Sequence, residues 1–137
     1  MKLVSACLAG VKCRYDGSAK PCKKVIELVK KGQAIPVCPE QLGGLPTPRI
    51  ASEQKGNKVF NKEGKDLTKE FEKGAQEALN IAKIAGCKEA ILKSKSPSCG
   101  FGLIYDGSFT GTLIKGDGVF AELLKANNIK VMTEEEI

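Results

Sequence analysis

The sequence predicts an α/β fold, a three-layer sandwich with a mostly parallel sheet of about four strands. Two observations support this prediction. Short apolar segments alternate along the chain with amphipathic segments of helical periodicity, which is the order expected of a parallel sheet with helical crossovers. Neither a repeat nor a linker interrupts this order, and 137 residues are close to the length of one ordinary domain. A single domain over residues 1–137 is therefore expected.

The first half of the chain contains two predicted strands and one predicted helix. Residues 3–6 are apolar and too few for a helix, so they are predicted as a strand. A helix is predicted over residues 21–31, with Gly32 at its end, because apolar side chains recur there at helical spacing. Residues 34–38 are predicted as the second strand, despite Pro36. Residues 43–66 carry Gly and Pro too often for any element longer than a hairpin, and a loop of that length is usually functional.

The second half continues the alternation. Apolar residues from Leu67 to Ala82 recur at helical spacing, with Asp66 or Thr68 as N-cap and Gly86 as the C-terminal stop. A third strand is predicted at residues 90–92, and Asp106-Gly107 is a candidate hairpin turn. A helix opened by Asp117 carries Phe120, Leu123 and Leu124, and residues 129–132 form the last predicted strand.

Three cysteines lie at or shortly after the ends of predicted strands. Cys7 closes the first strand, Cys38 closes the second, and Cys99 follows the third. Ligands of Rossmann-like sheets bind beyond the carboxyl ends of the strands, so these thiols are expected to meet there. Sulfur ligands select zinc, Cu(I) or iron–sulfur centres. The alternative is three ordinary core cysteines, because free Cys is among the most buried residue types.

The other cysteines are interpreted separately. Cys22 lies on the apolar stripe of the first helix and Cys87 lies between a helix end and a strand, so both are expected to be structural. Cys13 lies in the loop after Cys7, where it is either a fourth ligand or a bystander.

Several polar residues near these cysteines are candidates for binding or catalysis. Glu40, two residues after Cys38, is a candidate general base, with a solvated loop glutamate as the alternative. Arg14 and Arg49 are the only arginines, and their planar guanidinium groups suit recognition of planar acceptors or phosphate. Ser96 and Ser98 either position substrate, relay protons or only turn the chain.

The composition excludes some classes of protein. The hydrophobic share of 42% and the absence of a long apolar run argue against disorder and against membrane spanning. No secretory signal is evident at the N-terminus, so a cytoplasmic location with six reduced cysteines is expected.

There is no His, which removes the commonest general base. The net charge of +6 attracts polyanions, but the lysines are dispersed, and with 5% aromatic residues an RNA partner is not favoured.

Four strings taken together resemble the thiouracil desulfurase family, also catalogued as domain of unknown function 523. They are SACLAGVKCRYDG, PVCPEQLGGLPTPR, KSKSPSCG and GLIYDGSFTGTL. The resemblance covers nearly the whole chain, with the strings in the family's order and at similar spacing.

The resemblance implies a [4Fe-4S] cluster held by Cys7, Cys38 and Cys99, with one iron free of protein ligands. The expected reaction is a non-redox, Lewis-acid desulfuration of a thiolated base or nucleoside such as 2-thiouracil, 4-thiouracil or thiouridine. Glu40 and Ser96 are then expected to assist water activation and proton transfer. Substrate binding is expected from Arg14, Asp16, Arg49 and Ser98. The alternative function is a non-catalytic metal, iron–sulfur or sulfur-carrier protein.

Overall fold

The computed structural model describes all residues 1–137 as an alternating series of strands and helices. The β-strands are β1 (Lys2–Ser5), β2 (Ala34–Val37), β3 (Ser52–Lys55), β4 (Lys58–Asn61), β5 (Glu89–Leu92), β6 (Leu103–Tyr105), β7 (Leu113–Lys115) and β8 (Lys130–Thr133). The α-helices are α1 (Lys23–Lys30), α2 (Pro39–Leu42), α3 (Thr68–Ile84) and α4 (Val119–Ala126). Two 3₁₀ turns follow β1 and β8 directly, at Ala6–Ala9 and Glu134–Glu136.

Four of these strands form one parallel sheet in the order β2-β1-β5-β8. Ser5 pairs with Val37, Val4 with Ile91 and Leu92 with Thr133. The chain leaves β1 toward β2 on one side and later fills β5 and β8 on the other. The switch point therefore lies between the carboxyl ends of β1 and β5, where sheets of this class bind their ligands.

The sheet is covered on both faces, which confirms the three-layer α/β prediction. Alternate residues such as Leu3 and Leu92 face α3 and α4, and their neighbours Val4 and Ile91 face α1. Ala75, Ala78 and Ala82 give α3 a face of small buried side chains, which lets the helix pack closely on the strands. None of the helices is long and apolar enough to cross a membrane.

The sheet strands and the three longer helices lie where the sequence predicts them, with shifts at their ends. Pro36 is tolerated because β2 is an edge strand, with no neighbour on its outer side. Cys22 is the N-cap of α1 instead of an interior residue. The N-cap of α4 is Gly118 and not Asp117, whose carboxylate accepts from the Gly102 N–H and pairs with Lys125.

The start of α3 also differs from the prediction. Neither Asp66 nor Thr68 is its N-cap, because Leu67 occupies that position and Thr68 is already helical. Asp66 still supports the first turn, since its Oδ1 accepts from the Thr68 N–H at 2.9 Å.

Two antiparallel hairpins lie outside the main sheet. The first, β3–β4, occupies part of the Gly- and Pro-rich segment 43–66 and is the only regular β structure there. The second, β6–β7, contains the Asp106-Gly107 pair, but residues 106–112 form a longer loop than a tight turn.

Candidate active site

A cavity of about 570 Å³ opens at the carboxyl edge of the sheet. Its walls come from the segments that follow β1, β2 and β5 and from both hairpins. Four of the six cysteines and both arginines line it. The cavity therefore lies at the switch point of the sheet, where the sequence predicted a site.

The structure brings the three predicted cysteines to this cavity. Cys7 is in the 3₁₀ turn after β1, Cys38 is the N-cap of α2, and Cys99 lies in the loop after β5. Cys13 lines the same cavity, and its thiol lies within hydrogen-bonding range of the thiols of Cys7 and Cys38. The Cys38 Sγ also lies 3.8 Å from the Cys13 carbonyl oxygen. Cys22 and Cys87 lie outside the cavity, in two separate parts of the hydrophobic core.

Three of the thiols in the cavity favour the neutral form. Burial raises the pKa of the Cys99 thiol to about 12. The hydrogen bond to Cys13, together with burial, raises the pKa of Cys38. For Cys13, a hydrogen bond from Cys38 lowers the pKa, but the hydrogen bond to Cys7 and burial outweigh it and raise the value to about 11. Metal binding here must therefore release protons, because thiolates are the ligating form.

The chemistry of the side chains bears on which metal centre fits this site. The candidate donors are thiols, and the chain contains no histidine. A structural zinc site needs four converging ligands, whereas in a cubane each thiolate binds a different iron. The donor set of three cysteines on separate walls suits a polynuclear centre.

Glu40 stands beside the cysteines in the first turn of α2 and lines the cavity. Its side chain is 16% exposed, and its Oε1 accepts from the Arg49 Nε at 3.0 Å. Burial raises the pKa of Glu40, although the charges of Arg49 and Arg14 oppose this shift. Such a carboxylate holds a proton more readily than an exposed one does.

Arg49 lines the cavity, but most of its guanidinium is bound to the protein. In addition to the Glu40 contact, Nη1 donates to the Pro46 carbonyl and to Thr47 Oγ1, each at 3.0 Å. Nη2 donates to the Cys13 carbonyl at 2.9 Å. One side chain thus ties the segment after β1 to the segment after β2, and one N–H of its five stays free.

Arg14 and Asp16 occupy one turn, with only Arg14 in the cavity wall. The Arg14 Nη1 donates to Ser18 Oγ at 3.3 Å, and its guanidinium lies 5.7 Å from the centre of the Tyr15 ring. Asp16 is exposed, and hydrogen bonds from the Ser18 hydroxyl and N–H lower its pKa. Asp16 therefore fixes Ser18, which in turn contacts Arg14.

The two predicted serines of the loop after β5 are placed differently. Ser96 lines the cavity, and its Oγ accepts from the backbone N–H groups of Ser98 at 3.1 Å and Cys99 at 3.0 Å. Because both lone pairs are used, the Ser96 hydroxyl has its proton left to donate. Ser98 is 1% exposed, lies outside the cavity wall, and its Oγ has no nitrogen or oxygen partner. The Cys99 thiol is its polar neighbour.

Some cavity residues were not predicted from the sequence. Glu53 comes from β3, and Tyr105 and Phe109 come from the β6–β7 hairpin. Lys93 and Ser94, which belong to the string KSKSPSCG quoted above, also reach the wall directly after β5. For the residues of the two hairpins, the sequence offered two signals: the unusual length of segment 43–66 and the irregular string from Gly102 to Leu113. Neither signal shows that the hairpins face the edge of the sheet.

The fold and the site define an α/β protein with a cysteine-lined cavity at its sheet switch point. A family model for 2-thiouracil desulfurase matches residues 3–136. The chain belongs to the 2-thiouracil desulfurase family. It is 42% identical to the "Uncharacterized protein YbbK" of Bacillus subtilis (strain 168), over all of this chain and 97% of that protein. It is also 42% identical to a solved structure, the [4Fe-4S]-dependent thiouracil desulfidase TudS, with a TM-score of 0.94 over 98% of this chain and 91% of that one.

Proposed function

We propose that this protein catalyses the non-redox desulfuration of a thiolated nucleobase, such as 2-thiouracil or 4-thiouracil, using a [4Fe-4S] cluster. One observation carries the proposal: thiols from three separate segments meet in the cavity at the switch point of a chain that belongs to this family. The similar structure is that of a [4Fe-4S]-dependent thiouracil desulfidase. We also take residues 1–137 as one functional domain, since segments from Ser5 to Gly111 build this one cavity.

The proposed cluster ligands are Cys7, Cys38 and Cys99. When bound, the cluster supplies a soft Lewis acid at an iron without a protein ligand, which suits the thiocarbonyl sulfur of the substrate. Cys13 is assigned as a neighbouring thiol that does not ligate. The six free cysteines and this centre require a reducing compartment.

Glu40 is proposed as the base that accepts a proton from the attacking water. Its Oε1 is bound to Arg49, so Oε2 is the oxygen available for that proton. The low exposure of the carboxylate strengthens its interaction with water or substrate, because the local dielectric is low. Arg49 holds the carboxylate in place, and its single free N–H contributes to substrate binding.

Ser96 is proposed as the proton donor toward the departing sulfur or the substrate nitrogen. Its oxygen is held by two backbone N–H groups, which orients the hydroxyl and stabilises developing negative charge on it. Arg14 is proposed to contact the substrate directly, because it lines the cavity. Asp16 contributes indirectly, because it holds Ser18, which in turn contacts Arg14. Ser98 contributes indirectly through its contact with the Cys99 thiol.

The overall reaction consumes one water and changes no oxidation state. The carbon–sulfur double bond of the base is replaced by a carbon–oxygen double bond, and the sulfur leaves as hydrogen sulfide with the two protons of the water. The residues therefore only have to move protons, which matches the roles proposed for the Glu40 carboxylate and the Ser96 hydroxyl.

The test is turnover by protein reconstituted with iron and sulfide under anaerobic conditions. We expect uracil and sulfide to form from 2-thiouracil or 4-thiouracil. The Cys38→Ser variant should lose both the cluster and turnover, and the Cys87→Ser variant should retain both. Full cluster loading without turnover of any thiolated base would instead support a binding or carrier protein.

A further inference from the structure

The loop of the β6–β7 hairpin contributes an aromatic wall to the cavity. Phe109 lies in this loop, Tyr105 precedes it, and both line the cavity. The roles proposed above use neither side chain. An inference about them rests on the proposed function, because it concerns the substrate of the same site.

A single carboxylate holds this loop against the cavity. Glu53 Oε1 accepts from the backbone N–H of Gly107 at 3.0 Å and from that of Phe109 at 3.1 Å. Gly107 lies directly on β3, since a β-carbon there would come within 2.7 Å of the Gln54 carbonyl oxygen. The backbone of the loop is therefore fixed relative to β3.

The strand β3 is in turn fixed to the loop that carries Ser96 and Cys99. Gln54 Nε2 donates to the carbonyl oxygens of Pro97 at 2.8 Å and Asp117 at 2.9 Å. Gln54 is 9% exposed, so these hydrogen bonds are shielded from water. Through Glu53 and Gln54, the position of Phe109 is set with respect to the proposed catalytic residues.

The backbone at Phe109 is costly for its residue type. Its φ is 58°, a left-handed conformation that glycine or asparagine adopts at lower cost than a bulky side chain does. The turn alone therefore does not explain a phenylalanine at this position. The half-buried ring lining the cavity is the property that a smaller turn residue would not supply.

We propose that Phe109 is a substrate-binding residue, whose ring packs against the planar face of the thiolated pyrimidine, and that Glu53 is the positioning residue that holds it. The proposed ligand class is a planar heteroaromatic thiocarbonyl. Aromatic rings stack favourably on nucleobases. Outside the β6–β7 hairpin the wall has one other aromatic residue, Tyr15, and the Arg14 guanidinium lies 5.7 Å from the centre of its ring.

The first experiment compares Phe109→Leu with Phe60→Leu in anaerobically reconstituted protein. Leucine keeps apolar volume but removes the planar ring, and Phe60 is a half-buried phenylalanine outside the cavity. In Phe109→Leu we expect the KM for 2-thiouracil and the Kd for the product uracil to rise about tenfold, which corresponds to about 1.4 kcal/mol. The kcat, iron content and cluster absorption should stay near wild type. Phe109→Tyr keeps an aromatic ring and should leave the KM for 2-thiouracil and the Kd for uracil near their wild-type values. Phe60→Leu should change neither constant.

The second experiment tests the link between the two residues. Glu53→Ala should raise the KM as Phe109→Leu does, whereas Glu53→Gln should raise it little because the amide oxygen still accepts both N–H groups. If Glu53 acts through Phe109, the double variant Glu53→Ala/Phe109→Leu should be no worse than Phe109→Leu alone.

The outcomes separate this inference from the proposed function. One outcome would overturn the inference and leave the proposed function standing: the wild-type protein converts thiouracil, and Phe109→Leu has the wild-type KM and the wild-type affinity for uracil. Wild-type protein that carries its cluster but converts no thiolated base would overturn the function. In that case the uracil Kd of Phe109→Leu against wild type would still decide whether the ring binds pyrimidines.

Discussion

Gly74 in α3 lies so close to Pro39 in α2 that a β-carbon at residue 74 would come within 1.8 Å of the Pro39 carbonyl oxygen. Gly43 makes the reciprocal approach, because a β-carbon there would lie 2.0 Å from the Glu70 carbonyl oxygen. The two helices therefore meet backbone to backbone. Pro39 stands between Cys38 and Glu40, so this contact sets the position of a proposed ligand and of the proposed base.

Gly74→Ala should destabilise the protein and disturb the site. The conflicting atom is backbone, so α2 must move away from α3. Overpacking of this kind costs about 1–3 kcal/mol, against a gain in helix propensity of about 1 kcal/mol. We expect a net loss of about 1 kcal/mol, and at most about 2 kcal/mol, in the free energy of unfolding, measured in urea, together with lower iron content. Glu77→Ala, at an exposed position of the same helix, is the control, and a Gly74→Ala variant as stable as wild type would contradict this interpretation.

Glu40→Gln should abolish most turnover while the cluster stays bound. Loss of a general base lowers kcat by a factor of about 100 to 10,000, whereas the amide occupies the same volume. The measurement is sulfide release at equal iron content, with Glu72→Gln on an exposed part of α3 as the control. If Glu40→Gln retained its kcat, another group would have to take the proton.

Cys13→Ser should keep both the iron content and the turnover. Cys13 is close to Cys7 and Cys38, but the proposal leaves it unligated so that one iron is free for the substrate. The measurement is iron and sulfide content with kcat, beside Cys7→Ser and Cys99→Ser, which should both lose the cluster. Loss of the cluster in Cys13→Ser would place Cys13 among the ligands.

Arg49→Lys should be costly even though the charge is retained. Lysine cannot reproduce the contacts with Glu40, Cys13 and Pro46 together, and the Arg49 side chain is 7% exposed. We expect a loss of about 2 kcal/mol in the free energy of unfolding, with a lower kcat. Arg14→Lys is the matched comparison, because Arg14 makes one long hydrogen bond, to Ser18, and should change stability by less than about 0.5 kcal/mol. Equal losses in the free energy of unfolding for the two substitutions would show that the planar guanidinium of Arg49 has no special role.

Glu134 should make stability depend on pH. Its carboxylate accepts from the Ser94 N–H at 2.7 Å and the Ser94 hydroxyl at 3.0 Å, and it pairs with Lys93 at 3.1 Å. Burial raises the pKa of Glu134, but these hydrogen bonds and the Lys93 charge outweigh it and hold the pKa below its usual value. The stabilisation is thus present above the unfolded-state pKa of about 4.3 and is lost as the pH falls through the lower folded-state pKa.

The variant that tests this is Glu134→Gln. At pH 7 it should lower the free energy of unfolding by about 1–2 kcal/mol, and the difference from wild type should shrink as the pH falls below about 4.3 and the wild-type carboxylate becomes protonated. Urea titrations across this range provide the measurement, with Glu135→Gln as the exposed neighbour. A difference independent of pH would mean that the charge of Glu134 is not the stabilising feature.

Much of the fold was predictable because its signals are local. The apolar spacing of Val25 and Val29, and the glycines at 32 and 86, mark helices through interactions within a few residues. Helix α2 escaped prediction because four residues are too few to show a helical period. The N-terminal starts of α3 and α4 were placed wrongly at Asp66 and Asp117, because the residue types that cap helices are also common in turns.

The sequence by itself determined the order of the four strands of the main sheet and of the three longer helices, and the placement of Cys7, Cys38 and Cys99 near the carboxyl ends of three strands. These features follow from side-chain periodicity and chain terminators, which act over neighbouring residues. Only the tertiary structure decided that Arg49 binds Glu40, that Cys13 joins the other thiols, and that Glu53 holds Phe109 at the cavity. These contacts join segments brought together by packing, and their distances depend on the whole fold.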